Sequence, residues 1–166
     1  MKKEKKNSNN TFFLFSIIFA IVILDQYSKY LIIKWLAPGE IVPIIKTFFN
    51  VTYITNKGII FGFFSLYPHF FLILSAITLI FLTCFILMQK EKSFCFTLSF
   101  GLLMGGALGN VSDRIRWGGV VDFLDFYYKS WHWPAFNCAD AAITIGIVLL
   151  LIYSFTKRLC SFIAKK

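Results

Sequence analysis

Residues 69–88 read HFFLILSAITLIFLTCFILM and contain no lysine, arginine, aspartate or glutamate. A helix needs about 20 mostly apolar residues to cross a hydrocarbon core of about 30 Å, so this stretch predicts a membrane span. Outward from it, further apolar stretches predict spans at residues 12–33, 94–111 and 138–155. The expected fold is an all-α membrane protein, with residues 1–166 forming a single integral membrane domain of four transmembrane helices.

The composition of the 166-residue chain also favours lipid as its main solvent. Hydrophobic residues make up 58% of the chain, charged residues only 15%, and there are 21 phenylalanines. Soluble domains are about half apolar and about a quarter charged. The net charge of +9 would suit nucleic acid, but the basic residues flank apolar runs and do not alternate with aromatic residues. We therefore expect no nucleic-acid binding.

Two local patterns resemble other classes of protein and do not satisfy their requirements. The four cysteines, at positions 84, 95, 138 and 160, include no C-x-x-C pair and no neighbouring histidine, so we expect neither a metal site nor a disulfide framework. The first apolar run follows a basic amino terminus, as in a secretory signal peptide, but it lacks a small-residue cleavage site. It also lacks a lipobox cysteine. We expect it to be a retained span and the protein not to be a lipoprotein itself.

The distribution of charge predicts the orientation in the membrane. With four spans, both termini and the 89–93 loop share one side, which carries ten basic and two acidic residues, whereas the other side carries seven and six. Lysine and arginine accumulate on the cytoplasmic side, so both termini are predicted to be cytoplasmic. The long connections at 34–67 and 112–137 then lie outside. Residues 41–53 are rich in β-branched and aromatic residues before a turn at 56–58, which predicts a small β-rich segment on the outer surface between the first two spans.

Five aspartates lie in or beside the predicted spans: Asp25, Asp113, Asp122, Asp125 and Asp140. Ionisable groups at this depth are costly, so each needs a partner or a function. Asp25 has the spacing for a helical ion pair with Lys29. Asp113 adjoins Arg114, which would form a local charge cluster. Asp140 would lie in the first turn of the fourth span, where an acid is favourable.

A functional interpretation joins two of these aspartates. Asp122 is surrounded by apolar residues at the end of one outer connection, and Asp140 lies at the mouth of the next span. Two carboxyl groups in a poorly hydrated setting share one proton, so that one acts as a base toward water while the other polarises a carbonyl. This is the chemistry of aspartic proteases. The spacing leaves open whether the two residues approach each other, and no G-x-S-x-G or H-E-x-x-H motif offers another hydrolytic site.

Two other classes of protein would also place polar residues within spans. A proton-coupled transporter is the first, but it would be expected to show internal repeats, and none is evident in the sequence. A structural subunit of a membrane assembly is the second. It is favoured by the small-xxx-small spacing of glycines in the third span, which predicts close packing of helices through Gly101, Gly105, Gly106 and Gly109.

Four motifs resemble those of the lipoprotein signal peptidases, also called signal peptidase II. The resemblance covers the four-span layout and these motifs, which are DQYSK at 25–29, NKGIIFG at 56–62, GGALGNVSDR at 105–114 followed by GVVDF at 119–123, and FNCADAAI at 136–143. The resemblance implies a membrane-embedded aspartic endopeptidase. Such an enzyme removes the signal peptide from diacylglyceryl-modified prolipoproteins, cleaving before the lipidated cysteine, and is the target of the peptide globomycin.

The resemblance also implies roles for individual residues. Asp122 and Asp140 correspond to the catalytic pair. Residues that bind substrate or inhibitor, or support the site, correspond to Asp25, Lys29, Asn56, Gly58, Asn110, Asp113, Arg114 and Asn137. We expect no metal and no organic cofactor, and prolipoproteins and membrane lipid as partners of a monomer. The implied location is the bacterial inner membrane, with the active site toward the periplasmic face.

One feature departs from the family pattern, and one further acid lies near the proposed pair. Ile59 and Ile60 stand where the family usually has two alanines after its glycine, which adds bulk beside the implied substrate segment. Asp125 is an additional acid close to Asp122. We expect Asp125 to be solvated, or paired with Lys129 four residues on.

Overall fold

A computed structural model describes residues 2–58, 69–89 and 93–163. It contains four helices that are long and apolar enough to cross a membrane, as predicted. These are α1 (Lys2–Trp35), α2 (Phe70–Met88), α3 (Phe94–Trp117) and α4 (Cys138–Ile163).

Helices α1, α3 and α4 extend beyond their predicted spans, because hydropathy falls at polar residues while backbone hydrogen bonding continues. Helix α3 runs through Asn110 and Asp113 to Trp117, since both polar side chains find partners on neighbouring elements. It ends at Gly118, whose left-handed conformation (φ 68°) lets its N–H bond the carbonyl of Arg114.

Helix α3 lies at the centre of the bundle and contacts each of the other three helices. Its glycines allow this close approach, as the sequence predicted. A Cβ atom added at Gly101 would lie 2.7 Å from Ile17 Cγ2 of α1, and one at Gly105 would lie 2.8 Å from Ile21 Cβ. Gly106 faces the backbone of Ala139 in α4. Small residues therefore bring both α1 and α4 close against α3.

A four-stranded antiparallel sheet, in the order β1-β2-β3-β4, lies at the end of the bundle where α1 and α3 finish and α4 begins. Strands β1 (Ile41–Ile45) and β2 (Phe49–Asn56) confirm the predicted β-rich segment. Strands β3 (Val120–Tyr128) and β4 (Trp131–His132) come from the second long connection, where no strand was predicted. Both connections therefore build one sheet, in which β2 pairs with β3.

The two ends of the bundle differ in what they bury. Away from the sheet, an apolar cluster joins three helices through Leu14, Ile86, Phe96 and Phe100. The outward faces of the helices are apolar too, as expected for contact with lipid. At the sheet end, by contrast, the buried side chains include several charged residues and asparagines.

Candidate active site

Asp122 and Asp140 are joined by one side chain, that of Asn137. Asp122 lies on β3, Asp140 lies in the first turn of α4, and Asn137 immediately precedes α4. The Asn137 Nδ2 donates to Asp122 Oδ1 at 2.8 Å. The backbone N–H of Asn137 donates to Asp140 Oδ2 at 3.3 Å, and the N–H of Asp140 donates to Asn137 Oδ1 at 2.9 Å. This reciprocal pair is a helix cap, and the same residue holds both carboxylates in one place.

Two further asparagines occupy the remaining carboxylate oxygens. Asn56 Nδ2, from the end of β2, donates to Asp122 Oδ2 at 3.0 Å. Asn110 Nδ2, from α3, donates to Asp140 Oδ1 at 2.7 Å. Each carboxylate thus receives hydrogen bonds on both oxygens. The donors lie on β2, on α3 and at the residue that caps α4. Such donors fix the directions of the carboxylates before any substrate arrives.

Burial makes the ionisation of Asp122 unfavourable. The residue is only 3% exposed, and this burial raises the pKa of Asp122 to about 6. The hydrogen bonds from Asn56 and Asn137 and the charge of Lys29 act in the opposite direction, while the nearby charge of Asp140 raises the pKa further. A carboxyl group of this kind keeps its proton to higher pH than an exposed aspartate, which suits a pair that shares one proton.

A buried ionic network supports this site. Lys29 Nζ lies 2.8 Å from Asp25 Oδ2 and 2.7 Å from Asp113 Oδ2, and it donates to Asn110 Oδ1 at 3.1 Å. The pair of Asp25 and Lys29 predicted from their spacing is therefore present. The structure adds Asp113 to it, whereas the sequence suggested a local cluster of Asp113 with Arg114. Arg114 instead donates from Nη1 to the carbonyl of Asn110 at 3.3 Å.

The network also ties the reacting segments to the bundle. Asp25 Oδ1 accepts from the N–H of Ala139, at the start of α4, at 2.9 Å. Asp113 Oδ2 accepts from the N–H of Val121, adjacent to Asp122 on β3, at 3.1 Å. Asp25 contacts Lys29 and the backbone amide with different oxygens, whereas Asp113 contacts Lys29 and the amide of Val121 with the same oxygen, Oδ2. Their charge and their hydrogen bonds therefore position Asp122 and Asp140.

Sequence reasoning assigned no role to Gln26, although this residue lies within the DQYSK motif. Its Nε2 donates to Asp113 Oδ1 at 2.9 Å, and its Oε1 accepts from Arg116 Nη1 at 3.1 Å. Gly109 was assigned only to helix packing, yet a Cβ atom there would lie 3.1 Å from the carboxyl carbon of Asp25. Both residues therefore shape the ionic network.

The expectation for Asp125 was wrong. Asp125 is buried, with 5% exposure, and its carboxylate contacts Asn50 Nδ2 at 2.8 Å and His132 Nδ1 at 2.9 Å. Lys129 instead lies over the ring of Tyr128, 5.5 Å from its centroid. A spacing of four residues brings side chains together on a helix, but this segment is a strand, and residue 129 lies in the turn beyond it.

Gly58 marks the end of the described segment that leads from β2. It has a φ of 74°, and its N–H donates to Asn56 Oδ1 at 2.8 Å, which orients the amide that binds Asp122. A methyl group at this position would overlap the ring of Phe71. The family departure at Ile59 and Ile60 lies outside the described residues.

The predicted site residues thus form two connected groups at the sheet end of the bundle. One is the pair of carboxylates with its asparagines, and the other is the ionic network around Lys29. Among the residues that the structure describes, no group of three or more His, Cys, Asp or Glu side chains is arranged to hold a metal ion. Chemically, the arrangement offers two fixed carboxyl groups next to amide donors, with Asp122 buried and Asp140 partly exposed.

Residues 17–156 match the signal peptidase II family of peptidases, family A8. The chain belongs to the signal peptidase II family. This match confirms the resemblance found in the four motifs and the predicted enzyme class, an aspartic peptidase of the lipoprotein signal peptidase type. The transporter and structural-subunit alternatives lose their support.

Relatives in several bacteria agree with this assignment to the signal peptidase II family. The chain is 41% identical over 158 residues to the lipoprotein signal peptidase of Cupriavidus pinatubonensis, covering 91% of this chain and 88% of the relative. It is 42% identical over 141 residues to that of Thermodesulfovibrio yellowstonii, covering 84% and 92%. A solved structure described as a bacterial membrane enzyme superposes with a TM-score of 0.78 at 34% identity, covering 87% and 88%.

Proposed function

We propose that Asp122 and Asp140 form the catalytic dyad with which this signal peptidase II removes the signal peptide from diacylglyceryl-modified prolipoproteins, cleaving before the lipidated cysteine. The observation that carries the proposal is the shared contact of both carboxylates with Asn137. The raised pKa of Asp122 adds to it, because a dyad needs one protonated and one ionised member. The relatives' name, lipoprotein signal peptidase, supports the class of substrate.

The proposed reaction is a general acid–base hydrolysis. The ionised member of the pair takes a proton from a water molecule, whose oxygen forms a bond to the carbonyl carbon of the scissile amide. The protonated member donates its proton to the carbonyl oxygen, a role that the raised pKa of Asp122 favours for that residue. In the resulting diol, a proton then moves to the amide nitrogen and the C–N bond breaks. One water is consumed, and a carboxyl group and an amino group are formed.

The supporting residues serve positioning in this scheme. The amides of Asn56, Asn110 and Asn137 keep the carboxylates aimed at a common point. Lys29 offsets part of the negative charge that Asp25 and Asp113 bring to the site. Because the groups are fixed by bonds to four elements, little reorganisation is needed when charge develops in the transition state.

We further propose that the sheet end faces away from the cytoplasm. The sequence places most of its basic residues in the flanks at the opposite end of the bundle, which favours that end as cytoplasmic. The scissile bond of an exported lipoprotein lies near the membrane surface, beside its own lipid anchor. A site at the helix ends, with apolar helix faces around it, would meet that bond from the side of the bilayer.

The dyad is tested with purified protein in lipid nanodiscs and a diacylglyceryl-modified prolipoprotein. We expect Asp122→Asn and Asp140→Asn each to lower the rate of signal-peptide release by about 10²- to 10⁴-fold, the usual contribution of a positioned acid or base. Glu40→Gln is the matched control, since it is an exposed acid at the same end of the bundle and should leave the rate unchanged. The proposal fails if wild-type protein releases no peptide, or if either aspartate variant is folded and nearly as active as wild type.

The orientation is tested by thiol labelling in a cysteine-free background. A cysteine placed at Lys129, in the turn beyond β3, should react with a membrane-impermeant maleimide in intact spheroplasts. A single cysteine at the native position Cys160, near the other end of α4, should react only after permeabilisation. The reverse pattern would contradict the proposed orientation and leave the dyad experiment unaffected.

A further inference from the structure

A second cluster of titratable side chains lies on the sheet, and the proposed chemistry does not use it. Its centre is the buried Asp125, whose carboxylate contacts both Asn50 and His132. An ionised carboxylate only accepts hydrogen bonds, so the ring of His132 donates from Nδ1. Asn50 and His132 are the side-chain partners of this buried carboxylate among the described residues, and losing either one leaves its charge less compensated.

The cluster connects all of the strands that follow β1. Asn50 on β2 is the register partner of Asp125 on β3, and Tyr127 on β3 is the register partner of His132 on β4. The rings of Tyr127 and His132 stack with centroids 5.1 Å apart and 12° between planes. Tyr127 Oη also accepts from the N–H of Thr47, in the turn between β1 and β2, at 2.8 Å. The exposed β4 is thereby fixed to the body of the sheet.

Residues 131–137, here named the return segment, run from β4 back along β3 to the start of α4. The N–H of Trp133 donates to the carbonyl of Phe126 at 2.8 Å, and Phe136 exchanges backbone hydrogen bonds with Leu124 at 2.8 and 3.1 Å. Between these bonds lies Pro134, which has no N–H to donate. The side chain of His132, just before these bonds, reaches Asp125, which lies on β3 between their partners Leu124 and Phe126. The return segment then ends at Asn137, the residue that joins the two carboxylates.

We propose that Asp125 and His132 form a positioning pair for peptide hydrolysis. Their hydrogen bond holds the return segment against β3 and so sets the place of the Asn137 amide between Asp122 and Asp140. The inference rests on the proposed dyad. Asn137 Nδ2 donates to Asp122 Oδ1, to the carbonyl of Val121 and to Asn110 Oδ1 within 2.8 to 3.2 Å, so a displacement of this residue weakens several bonds at once.

The physical consequence of removing His132 follows from the exposure of β4. Strand β4 has only two residues, and both are exposed, so the sheet loses little when it detaches. Without His132, the buried charge of Asp125 becomes hydrated most easily when β4 detaches from β3 and admits water. Opening moves the return segment, and with it Asn137, while the helices and the ionic network around Lys29 stay in place. The loss therefore falls on catalysis more than on the stability of the bundle.

The test compares three variants by steady-state peptide release. His132→Leu removes the donor, and we expect kcat to fall roughly tenfold with KM within about twofold of wild type, because Asn137 contacts the catalytic carboxylates. In His132→Asn the amide Nδ2 stands close to the place of ring Nδ1, so kcat should return to within about threefold of wild type. Lys129→Asn is the matched control on the same hairpin. It removes a charge, suits the left-handed backbone at that position (φ 55°) and should leave kcat unchanged.

Hydrogen exchange supplies a readout that does not depend on activity. In His132→Leu, amides of residues 131–137 should exchange faster than in wild type, while those of α3 keep their protection. A folded His132→Leu variant with wild-type kcat, equal losses in the Leu and Asn variants, or unchanged exchange in the return segment would each overturn the positioning role. An inactive wild type or an active Asp122→Asn variant would instead overturn the dyad and with it the catalytic part of this inference. The exchange measurement distinguishes a failure of the dyad from a failure of the positioning role, because it does not depend on activity.

Discussion

Replacing Asp122 by asparagine should make the protein increasingly more resistant to unfolding than wild type as the pH rises, although it lowers the rate of peptide release. In the folded protein the pKa of Asp122 is about 6, against 3.8 for an unperturbed aspartate. Because the folded pKa is the higher one, the folded state binds more protons than the unfolded state between these values. The contribution of protonated Asp122 to the free energy of unfolding is therefore fully present below about pH 4 and is lost as the pH rises through about 6.

The size of the effect follows from the shift. Each pKa unit corresponds to about 1.4 kcal/mol, so complete ionisation of Asp122 costs roughly 3 kcal/mol of unfolding free energy. Asparagine at this position carries no charge at any pH and does not incur this cost. By the scaling of soluble domains of this length, the unfolding temperature of Asp122→Asn minus that of wild type should grow by on the order of 10 °C between about pH 4 and pH 8.

The assay is thermal unfolding in detergent micelles, followed by circular dichroism at several pH values across this range. Asparagine also changes the hydrogen bonds with Asn56 and Asn137, but that effect is constant with pH, so the change in the difference isolates the ionisation. Glu40 is an exposed acid, so the unfolding temperature of Glu40→Gln should change with pH in parallel with that of wild type. Parallel curves for Asp122→Asn and wild type would refute the argument that burial of this carboxyl group opposes its ionisation.

Three further outcomes are expected from residues around the site. Lys29→Met leaves Asp25 and Asp113 buried without their cation, so the free energy of unfolding should fall by about 3–5 kcal/mol in thermal unfolding. A free energy of unfolding within about 1 kcal/mol of wild type would contradict the ion network. Gly58→Ala forces a methyl group against Phe71 at a positive φ and should lower peptide release, and a fully active variant would show that the turn adapts. Asn137→Ala should lower kcat by about 10²-fold, and a decrease of less than about threefold would argue against its bridging role.

The parts of the fold that depend on local composition could be predicted from the sequence. The spans follow from apolar length, and the pair of Asp25 and Lys29 follows from helical spacing. The strands before Asn56 follow from their β-branched and aromatic residues. Strand β3 could not be found in this way, because it is buried along most of its length and gives no apolar–polar alternation. It also contains two aspartates, which are unusual in strands.

The partners in the site could not be predicted because they are distant in the chain. Asp125 meets Asn50 from 75 residues away, and Asp25 meets Ala139 from 114 residues away. Helix packing and strand register decide such contacts, and a single sequence does not give either. The motifs identified the family and indicated which residues to expect in the site. They did not indicate that Asn137 contacts both carboxylates, since motif spacing carries no information on hydrogen-bond geometry.

The junction at the start of α4 has a consequence for how the protein is made. Ala139 and Asp140 satisfy Asp25 and Asn110, which belong to helices synthesised earlier. Until the ribosome has added the last span, Asp25 and Asn110 lack these partners on α4 and have only those on the earlier helices, such as Lys29. Completion of the fourth helix therefore supplies these hydrogen bonds and brings Asp140 beside Asn110. With the proposed dyad, we expect the enzyme to acquire its activity only at this final step of its own biogenesis.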